Sequence, residues 1–376
     1  MTTTPHEQLV NAKRWVIKIG SALLTRVGEG LDRDRISWLT KEIAFLREQG
    51  KEVVLVTSGS VAAGMQELGW EKRPHALHQL QAAASVGQMG LIQAYATECK
   101  KHNIHTAQIL LTHSDLSDRG RYLNARSALH TLLELGVLPV VNENDTIATE
   151  EIRFGDNDTL AAMTANLVEA DVLVILTDQD GLFDSDPRQN PEARLIAASA
   201  ASNPALDDMA GEGTGSLGRG GMATKLLAAR RAARSGAVTV ILSGEVSDNL
   251  RQLAAGAGVG TLLWPDDEPI TARQQWLLTH QVKGRVILDD GAVSVIRQQG
   301  RSVLHVGVKQ VEGQFSRGEM IVCCDISGKE VARGLVNYNF EEVGRLMGHS
   351  STEIEVLLGY VDEPELIHRD NLIITS

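Results

Sequence analysis

Residues 52–65 read EVVLVTSGSVAAGM. A β-branched apolar run ends at Val56, four small or hydroxylic residues follow (Thr57-Ser58-Gly59-Ser60), and VAAGM then opens a helical stretch. A strand that turns into a helix through so short a connection is the first half of a crossover unit, the device that joins parallel strands. The same order recurs from Trp15 to about Trp264. WVIKIG, TAQILLT, VLPVVNEND, DVLVILTDQDG and AVTVILSG read as further buried strands. SWLTKEIAFLREQG, LHQLQAAASVGQMGLIQAYATECKK, RSALHTLLELG, DTLAAMTANLVEA and TKLLAARRAARSG read as the helices between them, several closed by Gly in the left-handed capping position. The expectation is an α/β domain: an open, mainly parallel sheet with helices on both faces.

The 376 residues exceed what one core usually serves, which favours two domains. Alternation stops near PDDEPITARQQWLLTH (265–280). Beyond it, RVILDD, AVSVIRQQ, EMIVCCDI and VARGLVNY are separated by the turn signals DDG, SRGE and SGKE, and one short helix is expected at NFEEVGRLM. The reading is therefore residues 1–265 as the α/β domain, 266–282 as a helical linker, and 283–376 as a small, mostly-β domain.

Composition removes other classes. An apolar fraction of 43% excludes disorder, and a formal charge of −12 opposes bulk attachment to nucleic acid or anionic membrane. Three cysteines (Cys99, Cys323, Cys324) make neither a disulfide framework nor a CxxC metal knuckle. MTTTPHEQLVNAKR lacks the apolar core of a signal peptide, and no apolar run approaches a membrane span. A cytoplasmic protein fits these features.

In open parallel sheets ligands bind beyond the carboxyl ends of the strands. Here those ends carry Lys18-Ile19-Gly20-Ser21, Thr57-Ser58-Gly59-Ser60, Asn142-Glu143-Asn144-Asp145 and Thr177-Asp178-Gln179-Asp180. Lys18 interrupts an apolar strand, where an ammonium needs a partner or a ligand; the plain alternative is a surface lysine on an edge strand. Gly20-Ser21 and the Thr57–Ser60 turn offer backbone amides to an anion, although ordinary N-capping by Ser58 or Ser60 explains the latter as well. Asn142–Asp145 and Gly155-Asp156-Asn157-Asp158 suit the ammonium of an amino acid or the orientation of lysines, with paired Asx turns as the bland alternative. GEGTGSLGRGGMATK (211–225) is a Gly-rich loop running into a helix near Thr224, and Lys225 at that helix start opposes the helix dipole unless an anion joins it. It is neither a Walker A loop nor a dinucleotide fingerprint.

Together, VIKIGSALLT, VTSGSVAAG, LNARSALHTLLELGVLPVVNENDT, RFGDNDTLAA, LTDQDGLFDSDPR and GRGGMATK resemble, in order and spacing, the motifs of the amino acid kinase superfamily and, within it, the glutamate 5-kinase family. VNENDT with GDND separates that family from acetylglutamate kinase, aspartokinase and UMP kinase. The C-terminal module resembles a PUA domain. The resemblance implies ATP-dependent phosphorylation of the L-glutamate side-chain carboxylate to L-glutamyl 5-phosphate, with Mg²⁺ carried mainly by ATP and no metal ligand assigned to a protein side chain. It implies that Lys18 and Lys225 contact the ATP phosphates, that Asp158 holds the two lysines, and that Ser58, Asp145 and Asn157 contact glutamate. Gly20, Ser21, Thr177, Asp178 and the run Arg219, Gly220, Gly221, Met222, Ala223, Thr224 and Lys225 would border the nucleotide. Arg219 departs from the pattern, since related enzymes usually carry a small residue there, often Thr. The resemblance further implies the first step of proline biosynthesis, feedback inhibition by L-proline, a homo-oligomer and functional coupling to glutamyl phosphate reductase.

The chemistry agrees independently. A glutamate carboxylate, pKa about 4.3, is already ionised at neutral pH and needs no general base. It needs relief from repulsion as it approaches a polyphosphate, which lysines, helix N-termini and Mg²⁺ supply. Two alternatives stand beside this reading: a relative acting on another carboxylate or carbamate, and an RNA-binding PUA protein. Residues 283–376 hold ten Lys or Arg against fourteen Asp or Glu, net −4, a poor footprint for RNA.

Overall fold

In the computed structural model the six apolar runs form parallel strands: β1 (Arg14–Ile19), β2 (Glu52–Val56), β3 (Thr106–Leu111), β4 (Leu138–Glu143), β5 (Val172–Thr177) and β7 (Val238–Ser243). Two short strands, β6 (Ala198–Ala200) and β8 (Thr261–Trp264), complete an eight-stranded sheet of order β3-β4-β2-β1-β5-β7-β8-β6 in which only β7 and β8 pair antiparallel. The structure describes residues 5–26, 30–147, 157–210, 221–265 and 282–375.

Helices α1 (Arg33–Glu48), α2 (Ser60–Glu67), α3 (Leu77–Lys100), α4 (Arg119–Glu134), α5 (Asn157–Leu167) and α6 (Met222–Ala233) connect the strands. Gly50, Gly136 and Gly236, all at positive φ, terminate α1, α4 and α6. Strand side chains alternate between faces. Trp15, Ile17 and Ile19 pack with Leu39 and Ile43 of α1 and Leu91 and Tyr95 of α3. Val16 and Lys18 therefore face the other layer, where α5 lies against β1 and β5 and α6 against β7. This alternation alone carries the Lys18 side chain toward the first turns of α5 and α6.

One run differs from its reading. TAQILLT reads as a buried strand, yet β3 is the sheet's terminal strand, with Gln108 exposed and only Leu111 fully buried. It has a neighbouring strand on one side only, so its burial is partial.

The described residues gather into two units, one within residues 1–116 and 128–269, the other within 117–127 and 270–376. Residues 117–127, which include the start of α4, cluster with the second unit although the sequence reading has them in the first domain. Within that second unit Ser127 Oγ donates to Glu363 Oε1, and Arg317 donates to Asp362 Oδ2 at 2.9 Å. Its sheet has the order β10-β9-β11-β12-β13, formed by β9 (Val282–Leu288), β10 (Val308–Gly313), β11 (Met320–Cys324), β12 (Glu330–Leu335) and β13 (Leu372–Ile374). AVSVIRQQ, read with the β runs, is instead the helix α7 (Asp290–Gln299). Asp289 caps it by accepting from the Ala292 N–H, Val293 and Ile296 place its buried stripe at helical spacing, and Gly300 at φ 57° ends it. The expected helix at NFEEVGRLM is α8 (Phe340–Leu346), held by a capping box between Asn339 and Glu342. Cys99, Cys323 and Cys324 are buried and free. Residues 266–281, where the linker is expected, lie outside the described residues. Among those described, no helix is long and apolar enough to cross a membrane.

Candidate active site

All the parallel strands end on one edge, and three groups of polar residues meet there. The first is built around Asp158, which is 1% exposed in the first turn of α5. Lys18 Nζ lies 2.6 Å from its Oδ1 and Lys225 Nζ 3.1 Å from its Oδ2. Thr224 Oγ1 is placed to donate to the same Oδ2 at 2.9 Å. Burial by itself would raise the Asp158 pKa; the two ammoniums and the Lys18 and Thr224 hydrogen bonds overcome it and hold the carboxyl well below the ordinary range. Among the described residues, two cations share one anion in a nearly dry position and leave a net positive charge. Such a cluster is suited to a polyanion, because the charge still to be neutralised is already desolvated and oriented.

Backbone amides reinforce this field. Gly20, Gly59 and Gly221 each precede a helical segment and, having no side chain, supply no cap to its first N–H groups. Gly59 sits at φ 102°, a conformation that disfavours any other residue, and a Cβ on Gly20 would lie 3.6 Å from Lys18 Nζ. The capping alternative for Ser58 and Ser60 is thereby answered: neither caps α2.

The second group surrounds Asn157. Its Nδ2 faces the Thr57 carbonyl, Ser58 Oγ at 3.0 Å and Asn142 Oδ1 at 2.9 Å. Thr57, fully buried, shares a 2.9 Å hydrogen bond with the Tyr95 hydroxyl, which fixes the end of β2. The third group is Asp145, whose Oδ2 accepts from Ser60 Oγ at 2.7 Å. Burial pushes the Asp145 carboxyl up, against the opposing pull of Ser60 and of the Arg73 charge.

The structure thus joins Lys18, Asp158, Thr224 and Lys225 in one cluster, Ser58 and Asn157 in a second, and puts the second directly beside the first through the consecutive Asn157 and Asp158. Gly221, Met222 and Ala223 open α6 next to Lys225. Gly20 and Ser21 follow β1. Thr177, half-buried, and exposed Asp178 end β5, where Thr177 Oγ1 donates to Asp178 Oδ1 at 3.0 Å. No hydrogen bond or ion pair among the described residues links these two to the lysine cluster. Arg219 and Gly220, like Gly155 and Asp156, lie outside the described residues. Sequence reasoning named the Thr57–Ser60 and Asn142–Asp145 stretches without giving Thr57, Ser60 or Asn142 a role of its own, and it missed the supporting residues Tyr95 and Gln88. Gln88 had a readable signal, being the one amide on the buried stripe Leu80, Ala84, Leu91, Tyr95 of an otherwise apolar helix face.

The amino acid kinase family model matches residues 13–243, and a PUA domain model matches residues 284–358. The chain belongs to the amino acid kinase family. Similarity extends over nearly all of it: glutamate 5-kinase of Nitrosococcus oceani is 63% identical over 96% of this chain and 97% of its own, and that of Thioalkalivibrio sulfidiphilus 60% identical over 99% and 100%. The solved structure of UMP kinase from Bacillus anthracis covers 68% of this chain and 97% of its own at 17% identity, with a TM-score of 0.48. In this amino acid kinase the lysine cluster falls within the segment that the family model covers, and the second unit carries the PUA match.

Proposed function

We propose that this kinase transfers the γ-phosphoryl group of ATP to the side-chain carboxylate of L-glutamate, forming L-glutamyl 5-phosphate. The observation that carries the reading is the pair of ammoniums, Lys18 and Lys225, held on one buried carboxylate at the carboxyl edge of the sheet. Glutamate as acceptor is supported by the names of relatives at 60–63% identity over 96–99% of the chain. The carboxylate attacks as it is, without a base. Lys18 and Lys225 take up charge on the transferring group, the open α2 and α6 amides bind anionic oxygens, and Asp158 keeps both ammoniums in place.

Among the described residues no cluster of three or more His, Cys, Asp or Glu could hold a metal ion. We read Mg²⁺ as an ion carried on the ATP phosphates, where it would neutralise charge on the polyphosphate. Asn157 and Asp145 are read as receiving the α-ammonium of glutamate. L-Proline carries the same α-ammonium and α-carboxylate without a reactive side chain, so we read it as an inhibitor competing for these groups, which would place the reaction at the start of proline biosynthesis. A homo-oligomer and functional coupling to glutamyl phosphate reductase belong to the same reading. The test is ADP release with glutamate, N-acetylglutamate, aspartate and carbamate in turn. Glutamate should give the highest kcat/KM, and preference for any other acceptor would overturn the assignment.

A further inference from the structure

Gln88 takes no part in the reaction derived above, yet it ends a chain of amides that begins at the site. Gln88 Oε1 accepts from Asn142 Nδ2 at 2.8 Å, and Asn142 Oδ1 accepts from Asn157 Nδ2 at 2.9 Å. Both Asn142 and Gln88 are more than nine-tenths buried. Asn157 Nδ2 also faces the carbonyl oxygen of Thr57. A carbonyl can only accept, and this settles the polarity of the whole relay. Were Asn157 turned over, its Oδ1 would oppose the Thr57 oxygen. With Asn157 fixed, Asn142 must present its oxygen to it and its nitrogen to Gln88, and Gln88 must present its oxygen.

The cost of that polarity is visible. Gln88 Nε2 is buried and has no hydrogen-bond partner among the described residues. An amide at this position therefore serves through its oxygen, with its nitrogen left over. The gain is at the other end, where Asn157 Oδ1 is turned away from the relay and no described residue donates to it. It is left as an acceptor beside Asp158.

The backbone of Gln88 is held as firmly as its side chain. Helices α2 and α3 cross at Gly64 and Gly87, so closely that a Cβ on Gly64 would sit 1.7 Å from the Ala83 oxygen and one on Gly87 2.0 Å from the Ser60 oxygen. The crossing ties the α3 turn bearing Gln88 to the Thr57–Ser60 turn that bears the other end of the relay. Ser85 Oγ, one turn away, meets Thr146 Oγ1 at 2.9 Å and ties the same stretch of α3 to the segment after β4.

We propose that Gln88 is a positioning residue that acts through Asn142 to hold Asn157 with its oxygen toward the amino-acid ammonium. The proposal rests on the reading of Asn157 as a glutamate contact. It predicts that Gln88→Met, which keeps the volume and removes the acceptor, raises KM for glutamate about tenfold while kcat and KM for ATP stay within threefold. Gln88→Glu retains an acceptor oxygen and should recover most of the lost affinity. In an Asn142→Ala background, Gln88→Met should add nothing, because its effect runs through Asn142.

A second readout needs no substrate. In protein labelled with ¹⁵N-asparagine, the side-chain amide protons of Asn142 and Asn157 should be protected from exchange, and Gln88→Met should expose both. Unchanged exchange at Asn157 overturns the proposal, as does an additive effect of the two substitutions on KM, which would mean that Gln88 meets the substrate directly. A wild-type protein inactive toward glutamate would instead remove the functional reading, leaving the relay to be judged by the exchange measurement alone.

Discussion

Asp158→Asn removes the carboxylate that two buried ammoniums share, and its consequences can be worked from the geometry. At an effective dielectric constant of about 20, ion pairs at 2.6 and 3.1 Å attract by roughly 5–6 kcal/mol each. Desolvation of three charged groups returns much of this, and breaking a buried pair by removing one partner costs about 3–5 kcal/mol net. The two ammoniums, left without the carboxylate between them, also repel each other, some of which side-chain movement relieves. The loss is complete at neutral pH. A carboxyl with a depressed folded-state pKa contributes its full stability above its unfolded value of about 3.9 and loses it only as pH falls through the folded value. We therefore expect the first unit of the variant to unfold at a urea concentration about 1–2 M lower, for a slope of about 2–3 kcal/mol/M. Tryptophan fluorescence reports this unit through Trp15, Trp38, Trp70 and Trp264. MgATP should stabilise the variant more than the wild type, because phosphate replaces the missing counter-charge. The value of kcat should fall by about 10² or more, since both lysines lose their anchor. A urea midpoint within about 0.3 M of the wild type (less than about 1 kcal/mol at that slope), together with kcat within threefold, would refute the argument that Asp158 organises the pair.

Lys18→Met and Lys225→Met should each lower kcat by on the order of 10² or more; a change confined to KM for glutamate would place them in binding alone. KM for glutamate should rise on acidification at a pH above the ordinary carboxylate value of about 3.9, as the raised Asp145 carboxyl takes a proton and stops attracting the ammonium. A KM that does not change on acidification in the wild type, with Asp145→Asn equal to it, would remove Asp145 from the site. If proline uses the same groups, raising glutamate should relieve its inhibition and Asp145→Ala should weaken both ligands; inhibition unaffected by glutamate would point to a separate site. In the PUA domain, burial lowers the His305 pKa to about 4, and its ring packs edge-on against Tyr338 at 5.0 Å. Between pH 6.5 and 4 the unfolded chain binds a proton that the folded domain refuses, so stability should fall by about 3 kcal/mol as pH drops through that window. His305→Phe should flatten the slope, and an unchanged slope would refute the assignment.

Strand and helix order was legible because buried parallel strands are continuous apolar runs and their crossover helices are amphipathic. Lys18 stood out for the same reason, as a charge in such a run. The α7 helix was not, because Val293 and Val295 alternate as in a strand while Val293 and Ile296 are spaced as in a helix, and only the Asp289 cap and Gly300 decide between them. The relay from Thr57 to Gln88 joins four residues far apart in sequence through amide polarity, which no spacing reports. Ser60 likewise read as a cap, and only the nearness of Asp145, 85 positions on, shows its other use. Residues 117–127 continue one helical pattern into α4, so nothing in their periodicity marks the unit to which they pack.

The central claim is that the lysine pair on Asp158 serves transfer of a phosphoryl group to the glutamate side chain. Acyl phosphates react with hydroxylamine, so the most direct measurement incubates the purified full-length protein with L-glutamate, MgATP and hydroxylamine and follows γ-glutamyl hydroxamate alongside ADP. The account predicts hydroxamate formed in proportion to ADP, and its loss by about 10² or more in Lys18→Met and Lys225→Met. ADP without hydroxamate, or no turnover at any MgATP concentration, would contradict it.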